Sequence, residues 1–237
     1  MSKALVTGAT SGVGHAIAIE LARQGHQVMA LGRNAEVLAR LRHDHGITPV
    51  AADLTDREAV HQALDAVEID ILVNNAGMMP PLGAFQDADP VDTERAITIN
   101  FSAQVALTHL IVPGMCRRGH GHVFFTGSTA GHTAVAKMAV YCATKAAIGS
   151  FAQALRLDVA DHGVRVTEIV AGRIETNLYR DILPEDTRAA MYAGHSAVQP
   201  ENVAEMINAV LAMPATVDVS RFDIVPTRKV AAAGQQK

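Results

Sequence analysis

The chain has 237 residues, and apolar side chains make up 49% of it against 19% charged, a balance that lets a sizeable core form and excludes a disordered polymer. Twenty-four acidic residues against 20 basic ones leave a net charge of -4, and no segment gathers the basic residues into a stripe, so nucleic acid is not an expected partner. The two cysteines, Cys116 and Cys142, have neither the number nor the spacing of a disulfide framework or a zinc site.

In chain order, short Val/Ile/Leu-rich runs alternate with longer stretches of helical period, which is the pattern of βαβ units and a parallel sheet. Seven strands are predicted, at Ala4–Thr7, Gln27–Leu31, Thr48–Ala52, Ile69–Asn74, Gly121–Thr126, Arg165–Val170 and Phe222–Val225. Helices are predicted near 13–24, 35–45, 56–66, 89–118, 139–161 and 201–212, with a shorter one near 184–193. The expected fold is α/β: one doubly wound Rossmann-type domain over 1–237, its parallel sheet flanked by helices. In such a sheet the ligand lies beyond the carboxyl ends of the strands. The first strand starts too early to leave room for a signal peptide, and charges or turn residues are read as interrupting every apolar run, so the cytoplasm and no membrane role are expected. The tail 229–237 reads as frayed.

Strand one runs into Thr7-Gly8-Ala9-Thr10-Ser11-Gly12-Val13-Gly14, followed by the helical stripe Ala16, Ile17, Leu21. Gly8 permits a tight turn, Gly12 admits the backbone to a pyrophosphate, and Gly14 lets helix and strand pack closely. Gly8, Thr10, Ser11, Gly12, Val13 and Gly14 are therefore candidate dinucleotide contacts, with the free N–H groups of the helix start facing the phosphates. A tight βα turn without a ligand is the alternative. After strand two, where an NAD site carries a carboxylate for the ribose, the run is Leu31-Gly32-Arg33-Asn34. A guanidinium with no carboxylate at that position suits the 2′-phosphate of NADP(H), with Arg33 and Asn34 as the residues nearest it.

Tyr141 and Lys145 stand four apart on one predicted helix, so phenol and ammonium share a face. The cation is expected to lower the phenol pKa toward a value useful in acid–base work. Ser128 follows the fifth strand at the same edge of the sheet, placed to hold a carbonyl oxygen.

With these motifs in order, the chain resembles the short-chain dehydrogenase/reductase family over nearly its whole length. The family's TGxxxGxG corresponds to Thr7 through Gly14, its NNAG to Asn74-Asn75-Ala76-Gly77, its serine to Ser128, and its YxxxK to Tyr141 and Lys145. The resemblance implies an NADP(H)-dependent oxidoreductase working on a small carbonyl or alcohol substrate, with Tyr141 as general acid/base, Ser128 orienting the substrate oxygen, and Asn100 holding a water that joins Lys145 to solvent. It further implies cofactor contacts from Asp53 and Leu54 at the adenine, from Asn75, Ala76 and Gly77, from Tyr141 and Lys145 at the ribose, and from Gly172, Ile174 and Thr176 at the nicotinamide. Ala171 stands where the family has proline, which loosens that turn. A homo-oligomer, tetramer or dimer, is implied through the stripes 96–115 and 146–159, unless those stripes only face the sheet.

The substrate walls are expected from Met78, Met79 and Pro80, from 130–138, and from 177–196, a segment long enough to act as a lid or to be an ordinary connection. His132 and His195 are placed to contact a polar substrate, but isolated loop histidines more often face solvent, and that is the reading taken for them. His43, His45, His120 and His122 lack further ligands, and no metal is expected. Two other readings remain: an NADP(H)-binding sensor without turnover, or a dehydratase or epimerase on the same fold.

Overall fold

The computed structural model describes residues 1–228; the tail 229–237 and the side chain of His195 lie outside the described residues. Seven strands form one sheet in the order β3-β2-β1-β4-β5-β6-β7, with every adjacent pair parallel. They are β1 Lys3–Thr7, β2 Gln27–Gly32, β3 Thr48–Ala51, β4 Ile71–Asn74, β5 Gly121–Thr126, β6 Val164–Ala171 and β7 Arg221–Ile224. The order reverses direction between β1 and β4, so the crevice at the carboxyl ends of those two strands is the topological switch point.

The side-chain period of two splits the core into layers. Ala4 and Val6 of β1, Ile71 and Val73 of β4 and Phe124 of β5 face one side, where α1 (Gly12–Arg23), α2 (Ala35–His45) and α8 (Pro200–Leu211) cover them. Leu5, Leu72, Val123 and Phe125 face the other, under α3 (Arg57–Ala63), α5 (Ala103–Arg118) and α6 (Ala139–Val159). Strands buried on both faces read as continuous apolar runs, which is why they were visible in sequence.

Helix starts follow from capping side chains. Asn34 Oδ1 accepts from Val37 N at 3.1 Å, Asp56 Oδ1 from Ala59 N at 3.0 Å, and Asp89 Oδ1 from Val91 N at 2.8 Å with Pro90 at the first helical position. Gly46 and Gly119, at φ 67° and 74°, close α2 and α5 in the left-handed conformation.

Four expectations need correction. The helix predicted over 89–118 is α4 (Pro90–Ile97), a π-helical turn at Thr98–Ser102, and α5. Its residues Pro90–Arg118 are together long and apolar enough to cross a bilayer, contrary to the expectation that no run qualifies. In this fold the run is a core element, with Leu107, Ile111, Val112 and Met115 buried against the sheet. The third helix stops at Ala63 and β4 starts at Ile71, both shorter than predicted. The stretch 177–196 holds 3₁₀ turns at Asn177–Tyr179 and Ala193–His195 around α7 (Glu185–Tyr192).

Candidate active site

The carboxyl ends of β1, β4, β5 and β6 open into a cleft of about 870 Å³, large enough for a dinucleotide and a small substrate. The β1–α1 turn forms its floor. Gly8 has φ +65°, and a Cβ there would stand 2.9 Å from Ala76 Cα. Thr7 Oγ1 accepts from Asn75 N at 2.9 Å and Ala76 N at 3.0 Å while donating to Val73 O at 3.2 Å, and Asn75 Nδ2 donates to Thr7 O at 3.1 Å. The ends of β1 and β4 are thereby laced together. A side chain on Gly14 would strike Asn75 and the Gly8 carbonyl, so Gly14 packs behind the turn and not at the cleft surface. Ser11 makes no side-chain cap, and the first N–H groups of α1 are left to face the cleft, where Gly8, Thr10, Ser11, Gly12 and Val13 line the wall. This is the donor set an anionic phosphate requires.

At the β2 end Gly32 is held bare because a Cβ would stand 2.6 Å from Thr10 Cγ2. Arg33 lines the cleft, with Nη1 3.5 Å from Asp53 Oδ2 and a largely exposed side chain. Asp53 in turn accepts from Thr55 N at 2.9 Å and Thr55 Oγ1 at 2.8 Å; the backbone bond first, and the Arg33 cation among the lesser causes, hold its carboxyl below the usual range. The expectation of a cation without a carboxylate nearby is thus incomplete: Asp53 arrives from the neighbouring strand. Asn34 departs further, its side chain being spent on the α2 cap. Leu54 lines the cleft and is almost fully buried.

Ser128, Tyr141 and Lys145 are brought together on the cleft wall, all three buried. Ser128 Oγ accepts from Ala130 N at 3.1 Å. Lys145 Nζ stands 5.7 Å from the Tyr141 ring centroid and donates to Thr126 O at 2.7 Å. Burial dominates both ionisations. It raises the Tyr141 pKa above its ordinary value, with Ser128 opposing it, and lowers that of Lys145 to about 8, with Glu168 opposing it. The expected lowering of the phenol is therefore reversed: in this setting Tyr141 holds its proton.

Asn100 sits at the centre of the π turn and is fully buried behind the cleft. Its Oδ1 accepts from Met78 N at 2.7 Å, and its Nδ2 donates to Met78 O at 2.9 Å and Thr144 Oγ1 at 3.3 Å. Gly77 leaves the gap: a Cβ there would lie 3.3 Å from Asn100 Oδ1 and 3.7 Å from Lys145 Nζ. Asn75 and Ala76 also line the cleft.

Beyond β6, Gly172, Ile174 and Thr176 close the far wall, with Thr176 Cγ2 3.2 Å from where a Gly12 Cβ would be. Thr176 Oγ1 accepts from Leu178 N at 3.3 Å, and the Tyr192 hydroxyl donates to Thr176 O at 3.2 Å, so the segment after β6 is tied down at both ends. Met78, Met79, Val135 and Met138 form an apolar part of the cleft wall; Pro81, not Pro80, lines it. His132 does not face solvent alone: its Nε2 lies 3.0 Å from Glu168 Oε1.

Several residues escaped the sequence reading. Thr7, Thr126 and Gln104, whose Nε2 donates to Ala76 O at 2.7 Å, hold the cleft backbone in place. Arg95 from α4 reaches the cleft from a distant segment, while Arg180 lines it from within the 177–196 stretch expected as a wall. Glu168 carried one signal, being a charged residue inside an apolar strand run.

A family model described as short chain dehydrogenase matches residues 2–187. An uncharacterized short-chain type dehydrogenase/reductase of Sinorhizobium fredii is 42% identical over 233 residues, covering 98% of this chain and 94% of that protein. The NADP-dependent 3-hydroxy acid dehydrogenase YdfG of Escherichia coli is 36% identical over 232 residues, covering 94% of each chain. A solved structure of serine dehydrogenase in its closed form, complexed with NADP+, superposes with a TM-score of 0.92 at 34% identity, covering 99% of this chain and 98% of that one. With the glycine turn, the Asn-Asn-Ala-Gly strand end and the Ser/Tyr/Lys group meeting at one cleft, the chain belongs to the short-chain dehydrogenase/reductase family.

Proposed function

We propose that the protein is an NADP(H)-dependent oxidoreductase that interconverts a carbonyl compound and a secondary alcohol, and that its substrates are short hydroxy acids and their oxo counterparts. The observation that carries this reading is the buried Ser128–Tyr141–Lys145 group on the wall of a cleft whose floor is the bare N-terminus of α1. Relatives named for NADP-dependent 3-hydroxy acid and serine dehydrogenation support the cofactor and the substrate class. Arg95 and Arg180 support it further, because both line the cleft and offer positive charge to a substrate carboxylate.

The donors of the β1–α1 turn fit the pyrophosphate of the dinucleotide, Arg33 its 2′-phosphate, and Thr176 and Ile174 its nicotinamide end. When bound there, NADPH supplies a hydride to the carbonyl carbon and NADP+ takes one back from the alcohol. Ser128 donates a hydrogen bond to the substrate oxygen, and Tyr141 gives it a proton as negative charge develops. Tyr141 is protonated at neutral pH, as the reductive direction needs, but burial also weakens it as an acid, a cost that the Lys145 charge and the developing oxyanion have to offset. Lys145 fixes the electrostatics beside Tyr141, while Asn100 and Gln104 hold the strand ends that frame them. In this reading the chain forms one nucleotide-binding domain whose segment 177–196 covers the substrate end, acts in the cytoplasm, and assembles as a homo-oligomer.

The test is NADPH consumption with short 3-oxo acids, and NADP+ reduction with 3-hydroxy acids including serine. Tyr141→Phe is expected to cut kcat by roughly 10²- to 10⁴-fold while leaving NADPH binding, read by fluorescence, unchanged. Full activity in that variant would discard the mechanism.

A further inference from the structure

A second acid–base pair lies directly behind the catalytic side chains. Glu168 projects from the middle of β6, only 1% exposed, and its Oε1 stands 3.0 Å from His132 Nε2. Space for the carboxylate exists because two side chains are missing: a Cβ on Gly127 would lie 2.6 Å from Oε1, and one on Gly149 of α6 would lie 2.7 Å from it. The other oxygen, Oε2, is buried without a protein donor.

Each element packed against this carboxylate brings an identifiable group. On β7, Arg221 is in register with Glu168 but is engaged by Asp223 at 3.1 Å. On β5 the residue in register is Phe125, which is apolar. The basic side chains nearest to it are His132, on the turn that follows Ser128 and hydrogen-bonded to Oε1, and Lys145 of α6, one helical turn from Gly149, whose charged form Glu168 supports against burial. A buried carboxylate without partners is costly, so the His132 contact matters energetically as well as spatially. The same turn is pressed onto α6 at Lys145, where a Cβ on Gly131 would come within 2.7 Å of the Lys145 carbonyl carbon.

We propose that Glu168 is a positioning residue for the reaction: seated in the gap left by Gly149, one helical turn from Lys145 on α6, its carboxylate sets the electrostatics at that amine and, through His132, holds the Ser128 turn against α6. The inference rests on the oxidoreductase reading for its catalytic meaning, but the influence of Glu168 on Lys145 is testable without turnover. His132, one-third exposed, is the solvent-facing end of this hydrogen-bonded pair.

The experiment uses the full-length protein and two variants, Glu168→Gln and His132→Gln, with circular dichroism to establish folding. Competitive acetylation of Lys145 across the alkaline range, read by mass spectrometry, gives the pH at which that amine becomes half-reactive. Glu168→Gln is expected to lower this midpoint by about one pH unit and to move the alkaline limb of kcat the same way. His132→Gln is expected to raise KM for the carbonyl substrate roughly tenfold with little change in NADPH affinity, because the serine turn is loosened, and added imidazole should restore part of the loss. A folded Glu168→Gln protein with an unmoved Lys145 midpoint overturns the proposal, as does a His132→Gln protein with unaltered KM should Glu168→Gln fail to fold. A midpoint that moves in a protein without turnover keeps this inference and removes the oxidoreductase reading; turnover with an unmoved midpoint removes this inference alone.

Discussion

Asn100 grips the Met78 peptide from both sides, its Oδ1 2.7 Å from Met78 N and its Nδ2 2.9 Å from Met78 O. The π turn at Thr98–Ser102 points that carboxamide inward, and both faces of the amide are satisfied in a site without solvent exposure. Asn100→Ala leaves the two Met78 groups without those partners. A loss of about 1–3 kcal/mol in unfolding free energy is expected, read by urea denaturation, together with a fall in kcat as the Met78 wall shifts against the cleft.

Arg33 meets the cleft with a competitor at its side, Asp53 at 3.5 Å. Arg33→Ala is expected to raise the KM for NADPH roughly 10- to 100-fold and that for NADH much less, because only the former carries the 2′-phosphate. Steady-state kinetics with both cofactors check this, and equal effects on the two would refute the assignment.

Burial lowers the Lys145 pKa from 10.5 to about 8. Between those values the unfolded chain binds a proton that the folded protein lacks, so this group adds stability as pH rises through the interval and costs stability below it. Comparing wild type with Lys145→Met by urea denaturation, the difference is expected to move in favour of wild type by about 2–3 kcal/mol from pH 7 to pH 10. A difference that stays flat would mean the ammonium is better solvated than its surroundings indicate.

His122 titrates at the opposite end. Thr167 Oγ1 donates its proton to Val219 O at 2.6 Å, so it accepts from His122 Nε2 at 2.8 Å, and the ring is held neutral with Nδ1 bare. Desolvation lowers its pKa from 6.5 to about 3. Stability is retained above the unfolded value and drains away as pH falls through the interval, by about 3 kcal/mol at pH 4. His122→Gln should lose correspondingly less stability on acidification, measured by denaturation from pH 7 to pH 4.

Much of this site could be read in the chain before folding. The glycine turn, the Tyr141–Lys145 spacing and the serine after β5 are local features, and local backbone geometry alone decides which face of a turn or helix they share. Asn100 was legible only by resemblance, because a mid-helix asparagine looks the same whether it points to water or, as here, into the core. Asn34 was misread for a related reason: the residue that follows Arg33 is also the residue that starts α2, and the cap took its side chain. His132 was taken as solvent-facing because its partner Glu168 lies 36 positions away.

The sequence by itself determined that strands and helices alternate, that the strands are buried on both faces, and that a glycine turn precedes a tyrosine–lysine helix. These are matters of period, spacing and backbone permissiveness, which neighbouring residues settle among themselves. Only the tertiary structure decided the strand order, the approach of Asp53 to Arg33, the clamp of Asn100 on Met78, and the ionisation of Tyr141 and Lys145. Each of those depends on which distant groups share a water-free space, and the free energy of a charge is set by that space.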